Sequence, residues 1–243
     1  MEKIEIDSIK PLLKGAKPIG YGTTAYCFLL PDNTTLKLYK NNYNSRSLLS
    51  FKNFESNLER IAEISNDTYI GPQKLIKKDG KIVGYIYPYI HAKALKYKFP
   101  NMKLSEVFKS YDKLLIDTKK ISDAKLTLFD LHDKNILFKD KYYIIDLDRS
   151  DFHLDDADFI YECNMKRLFY VLLYKIYGLD PWYIITFGDY YFNKFINNID
   201  ATDINEIHKF CEMISSMCND ENPSLEKIRR KAPCGKIYND HYK

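Results

Sequence analysis

Apolar and polar positions alternate with a strand-like period over roughly the first ninety residues and shift to a helical period beyond them. Cys27-Phe28-Leu29-Leu30 and Thr35-Leu36-Lys37-Leu38-Tyr39 flank Pro31-Asp32-Asn33, a hairpin pattern. Lys74 to Lys78 and Lys81 to Tyr87 flank Asp79-Gly80, the strongest hairpin signal in the chain. Between the two pairs, Leu48, Phe51, Leu58, Ile61 and Ala62 recur at helical spacing and predict a helix from about Ser45 to Ile64. A small unit of five strands and one long helix is expected over residues 1–90. Residues 91–100 read as a connector. Helical patterns then follow over Leu104 to Ile121, Met165 to Tyr177, Pro181 to Ile196, Asp203 to Met217 and Ser224 to Lys231. The second carries Leu168, Val171, Leu172 and Ile176 and reads as a central buried helix. The expected fold class is α+β and bilobal. An antiparallel sheet with one long helix fills 1–90, a helical lobe fills 91–243, and a cleft lies between them.

Composition narrows the setting. A hydrophobic fraction of 45% supports a packed core and argues against disorder. The net charge of +4 permits an anionic ligand but does not argue for nucleic acid or a membrane surface. The 21 tyrosines read as coding bias rather than as a stacking platform for nucleic acid. Cys27, Cys163, Cys211, Cys218 and Cys234 are scattered without a C-x-x-C, so neither a disulfide framework nor a zinc site is expected, and a cytoplasmic setting fits. The first residues, Met1-Glu2-Lys3-Ile4-Glu5, lack a signal-peptide core, and the longest apolar run, Leu168 to Tyr174, is too short to span a bilayer.

The chemistry concentrates in Leu128-Phe129-Asp130-Leu131-His132-Asp133-Lys134-Asn135-Ile136-Leu137-Phe138. Asp130 is followed five residues later by Asn135, and Tyr142-Tyr143-Ile144-Ile145 then leads into Asp146. Two carboxylates and an amide at this spacing suit phosphoryl transfer: one acid orients the attacking hydroxyl, while the amide and the second acid hold magnesium. Upstream, Gly20-Tyr21-Gly22-Thr23-Thr24-Ala25 lets backbone approach phosphates closely, although a glycine turn between strands explains it equally well. Lys37 sits within an apolar strand fifteen residues after Gly22. Strand alternation alone would send it to solvent, but a glycine loop before it and an acidic helix after it suit an ammonium bridging phosphate and carboxylate. Glu55 lies on the apolar stripe of that helix and is the expected partner, with Glu59 the alternative.

Glycine loop, strand lysine, helix glutamate, D-x-x-x-x-N and a later Asp occur in an order that resembles the protein-kinase-like superfamily, by motif over about residues 15 to 150. The resemblance implies ATP and magnesium as cofactors. By it, Lys37 binds the α- and β-phosphates and pairs with Glu55, with Gly20 and Gly22 over the phosphates. Asp130 orients the acceptor hydroxyl and takes its proton. Asn135 and Asp146 ligate magnesium. The Pro88 carbonyl and Ile90 amide meet adenine, which Cys27 and Leu137 sandwich.

Several positions depart from the pattern. Leu128-Phe129-Asp130 replaces H-R-D, so activation by loop phosphorylation is not expected. Asp146-Leu147-Asp148 replaces D-F-G, and Asp148 reads as a turn residue in preference to a second metal contact. Ala25 replaces the third glycine. No A-P-E follows, and about eighteen residues separate Asp146 from the helix expected near Met165. His132, two residues after Asp130, is similar to aminoglycoside and choline phosphotransferases, though a packed scaffold histidine is the plainer reading. Asp151, Asp155, Asp156 and Asp158 form an acidic rim or a solvated loop. The expected acceptor is a protein hydroxyl, making the chain a compact Ser/Thr kinase. A small-molecule kinase is the alternative, and a silent nucleotide-binding adaptor the third.

Overall fold

In the computed structural model, residues 1–40, 53–97, 102–177 and 198–232 are described. The helix expected from Ser45 is seen from Phe54 onward, its first part lying outside the described residues, as does the helix expected over Pro181 to Ile196.

The fold is mixed α+β with a mostly antiparallel sheet. Strands β1 (Glu2–Glu5), β2 (Lys17–Tyr21), β3 (Ala25–Leu29), β4 (Thr34–Tyr39), β5 (Lys74–Lys78) and β6 (Lys81–Pro88) form one six-stranded sheet in the order β1-β5-β6-β4-β3-β2. Both expected hairpins are present. Asp79 and Gly80 take positive φ (51° and 71°), the backbone twist a tight β5–β6 turn requires. Strand β1 is an addition to the five expected and pairs parallel with β5.

Period-two alternation divides the sheet into two faces. Leu36, Leu38, Ile76 and Ile86 point to one face, covered by Ile6, Ile9, Leu12 and Leu13 of the N-terminal segment. Tyr85, Tyr87 and Leu75 point to the other, against Phe54 and Leu58 of helix α1 (Phe54–Ile64). Lys37 belongs by alternation to this second face.

Segment 65–70 carries the chain from α1 onto the helical half. Asn66 accepts from the Thr68 and Tyr69 amides, both at 3.0 Å. The Thr68 hydroxyl donates to Asp117 at 2.8 Å, and the Tyr69 hydroxyl meets Thr118 at 2.7 Å. These partners lie on helix α3 (Tyr111–Asp123), which follows the short α2 (Leu104–Val107). One helix was expected here. Ser110, at φ 63°, breaks it in two.

The remaining elements frame a loop. Strands β7 (Lys93–Ala94), β9 (Ile136–Phe138) and β10 (Tyr142–Ile144) make a three-stranded sheet, and β8 (Leu126–Thr127) pairs with β11 (Asp151–Phe152). Helix α4 (Ala157–Tyr177) is central and buried as expected but begins earlier than Met165. Helices α5 (Ile204–Cys218) and α6 (Leu225–Lys231) complete a core in which Phe169, Leu172, Phe210 and Ile214 are fully enclosed. Among the described residues no helix is long and apolar enough to cross a membrane.

Candidate active site

Lys37 is 5% exposed. Its face of the sheet is closed by Tyr39 and Tyr85, whose rings lie 5.7 and 5.6 Å from the ammonium. A buried ammonium needs counter-charge, and two carboxylates from a distant stretch supply it. Lys37 Nζ donates to Asp146 and, at 2.8 Å, to Asp148 Oδ2. Tyr39, two positions along β4 and so on the same face, donates its hydroxyl to the same Asp148 oxygen at 2.6 Å. Burial opposes the Lys37 charge, but the two acids outweigh it and raise its pKa. Burial foremost, with the neighbouring charge of Asp148, pushes Asp146 up to about 6. Burial acts the same way on Asp148, but Lys37 and Tyr39 prevail and hold it below the usual carboxylate range.

The backbone is built to deliver both acids. Asp146 takes a left-handed conformation, φ 66° and ψ 46°, a geometry that Asp tolerates better than most residues and that tends to occur at functional positions. It turns the chain out of β10 into a 3-10 turn, Leu147–Arg149, closed by the Ser150 amide donating to the Leu147 carbonyl at 2.8 Å. Arg149 then points to Asp130, its guanidinium 3.4 Å from Oδ2.

Asp130 and Asn135 are tied to one another. The Asn135 side-chain amide donates to the Asp130 carbonyl at 3.0 Å, and its backbone amide to the His132 carbonyl at 2.9 Å, which closes the loop. The Asn135 carbonyl accepts from Ile145 at 2.9 Å, so Asn135 stands beside the residue preceding Asp146. With its nitrogen engaged, the side-chain oxygen of Asn135 is the atom left to ligate. That oxygen and the Asp146 carboxylate are hard donors of the kind magnesium takes.

Helix α4 fixes this loop from below. Buried Asn164 accepts from the Leu128 amide at 2.9 Å and donates to the Leu126 carbonyl and Ser122 hydroxyl. Arg167, one turn on, donates to the Leu128 carbonyl, and Lys175 pairs with Asp133. His132 is engaged within its own loop. Its Nδ1 accepts from the Lys134 amide at 3.2 Å, its Nε2 lies 3.8 Å from Asp130, and burial foremost lowers its pKa.

Gly20, Cys27, Lys37 and Tyr85 are successive partners across four strands and so share one face. A Cβ on Gly20 or Gly22 would meet nothing closer than 3.9 Å, so the fold itself leaves space over this face. The Gly22 amide, however, is used within its own turn, donating to Ala25 at 2.9 Å. Burial raises the pKa of the Cys27 thiol, so it is held as a packing group. Pro88 ends β6 opposite Thr34, and Ile90 follows it, its carbonyl accepting from Ala92. Leu137, half-buried, alternates away from Ile136 and Phe138 of the helical core.

Glu55 is the correction. It is drawn to Lys3 at 2.9 Å and Lys77 at 3.1 Å, a third of its side chain is exposed, and it does not pair with Lys37. Glu59 also pairs with Lys3, at 2.8 Å. The buried stripe of α1 is Phe54, Leu58 and Ile61, and Glu55 lies at its margin. Asp148 was read as a turn residue, not as a partner of Lys37, and Tyr39, Arg149 and Asn164 were not singled out. Two of them carried a signal: Tyr39 alternates in step with Lys37, and Asn164 stands one turn before Leu168 on an apolar stripe.

No protein-family model matches the chain, and no curated protein matches it.

Proposed function

We propose that the chain is a phosphotransferase of protein-kinase-like, bilobal construction that moves the γ-phosphoryl group of ATP, with magnesium, to a hydroxyl. The sheet with α1 forms the nucleotide lobe and the helical half the catalytic lobe. The observation that carries the reading is the meeting of Lys37 with Asp146 across 109 residues of chain, with Asn135 bonded to the residue before Asp146 and Asp130 reached by Arg149 of the same turn. An ammonium and the carboxylates of Asp146 and Asp148 meet on a buried sheet face where apolar packing would be the plainer choice.

In this reading Lys37 holds the phosphates and Asn135 with Asp146 holds magnesium. The metal supplies neutralisation of charge on the transferring group. Asp130, a third of its side chain exposed, orients the acceptor hydroxyl and accepts its proton.

Two observations favour a small-molecule acceptor over the protein hydroxyl expected from the sequence. Helix α4 begins at Ala157, and of the ten residues between it and Asp146 the 3-10 turn and β11 take five, which leaves little span to dock a peptide. A cavity of about 610 Å³, lined by Phe129, Asp130, His132, Arg167, Tyr170 and Tyr174, opens beside the proposed base.

Incubation with γ-labelled ATP, magnesium and mixed acceptors tests this. Label is expected in a low-molecular-weight product, and Asp130→Ala is expected to abolish transfer with ATP affinity nearly unchanged. Label in protein alone restores the Ser/Thr kinase reading. ATP binding without turnover on any acceptor leaves the adaptor.

A further inference from the structure

We propose that Asp148, and no acidic residue of α1, is the positioning residue for Lys37, so that the phosphate-binding ammonium is held by the same turn that carries the metal-binding acid. The inference rests on the phosphotransferase reading above and names the counter-charge within that site.

A lysine that must meet phosphate while its neighbour meets a metal cannot depend on that neighbour. If Asp146 were the sole counter-ion of Lys37, ammonium and magnesium would compete for one carboxylate. Asp148 removes the conflict. Its side chain is 2% exposed, and its Oδ2 accepts from both Lys37 and Tyr39. The ammonium therefore keeps a full counter-charge when Asp146 turns to a metal.

The described acids of α1 cannot take this role. Glu55 and Glu59 are held on the outer side by Lys3 and Lys77, and Glu63 is exposed. What α1 does instead is brace the turn. Asn57 donates to Asp151 at 3.0 Å, and the Arg60 guanidinium stacks 3.5 Å over the Phe152 ring. Pairing of β11 with β8 fixes the far side of the same segment. Asp148 thus sits on an anchored turn, and Lys37 is placed without any movement of α1.

Two measurements test this on the full chain. The first is a double-mutant cycle on thermal stability with Lys37→Met and Asp148→Asn, run in parallel with Lys37→Met and Glu55→Gln. Strong coupling is expected in the first pair and additivity in the second. Additivity at Asp148 overturns the proposal without reference to any activity. The second is turnover against magnesium concentration. Asp148→Asn is expected to lose roughly 100-fold in kcat/KM and to need more magnesium for half-maximal rate, because Lys37 falls back on Asp146. Tyr39→Phe is expected to lose about 10-fold, and Glu55→Gln to keep both values. Parental magnesium dependence in Asp148→Asn, or collapse in Glu55→Gln, overturns the assignment. A parent chain that turns over no acceptor strikes the phosphotransferase reading and this role with it. Coupling intact in that case shows that the Lys37–Asp148 pair exists and that the failure lies in the parent reading.

Discussion

Lys37 and Asn164 are polar residues whose neighbours in sequence are apolar, and each is buried for a different reason. Lys37 is enclosed because the sheet face it occupies is covered by α1 and the 146–148 turn, and its charge is met there by two acids. Asn164 is enclosed because three groups around the β8 strand need partners: the Leu128 amide, the Leu126 carbonyl and the Ser122 hydroxyl. Asn164→Ala strands all three, so a loss of about 3 kcal/mol is expected in urea unfolding, with reduced turnover because the loop bearing Asp130 loses its anchor. A loss no larger than that of an exposed α5 substitution such as Lys209→Ala would place the anchor at Arg167. The meeting of Lys37 with Asp146 and of Asn135 with Asp130 was legible in the sequence because residue type and separation restrict them together. Glu55 was misassigned because periodicity locates a stripe but not its edge, and a rotation of one residue moves an acid from core to rim. Asp148 was illegible for a related reason. An acid two residues from another acid in a loop has the composition of a solvated turn, and only the packed partner distinguishes the two.

Strand β6 shows how one element positions the site. Gly84 pairs with Leu38 beside Lys37, and a Cβ built on it would lie 2.3 Å from the Lys37 carbonyl oxygen. The strands approach too closely there for any side chain. Gly84→Ala must therefore push β4 away from β6, at about 2 kcal/mol, and shift Lys37 with it. Reduced melting temperature together with weaker ATP binding is the expected result, and loss of stability with unaltered affinity would show that Lys37 adjusts independently of its strand. Elements with strong turn chemistry were the readable ones. Asp79-Gly80 and Pro31-Asp32-Asn33 fixed both hairpins. Elements held by partners rather than by pattern were not. Strand β1 offers a single apolar residue, Ile4, and exists because the open edge of β5 accepts it. The break between α2 and α3 falls at Phe108-Lys109-Ser110, a stretch of ordinary helix composition in which Ser110 adopts positive φ only in its packed setting. Strands of two or three residues such as β7, β8 and β11 carry no period at all.

At the scale of the molecule, the sheet half and the helical half are joined through a charged contact. Asp117 is completely buried on α3, accepts the Thr68 hydroxyl at 2.8 Å and pairs with Lys113 and Lys120 at 3.1 Å. Burial disfavours its charge, but the Thr68 hydrogen bond and the two lysines more than compensate, and its pKa is lowered. A folded-state pKa below the unfolded value means the unfolded chain binds the extra proton first. The stabilisation is then complete above the ordinary aspartate range near 4 and is lost as pH falls through it to the lower folded value. Asp146 works in the opposite sense. With its pKa raised to about 6, its contribution is present at acid pH and lost as pH rises through that value. The acid limb of the parent curve therefore mixes two signs, and a difference measurement is needed to separate them. Asp117→Asn removes one titration and leaves the other. Urea midpoints for parent and variant, taken from pH 3 to pH 7, are expected to differ by about 2 kcal/mol near neutrality, the scale of hydrogen bonds to a charged group. The gap should close as pH drops below about 4. A gap that stays constant across the range would show that Asp117 stabilises the junction by its shape and not by its charge.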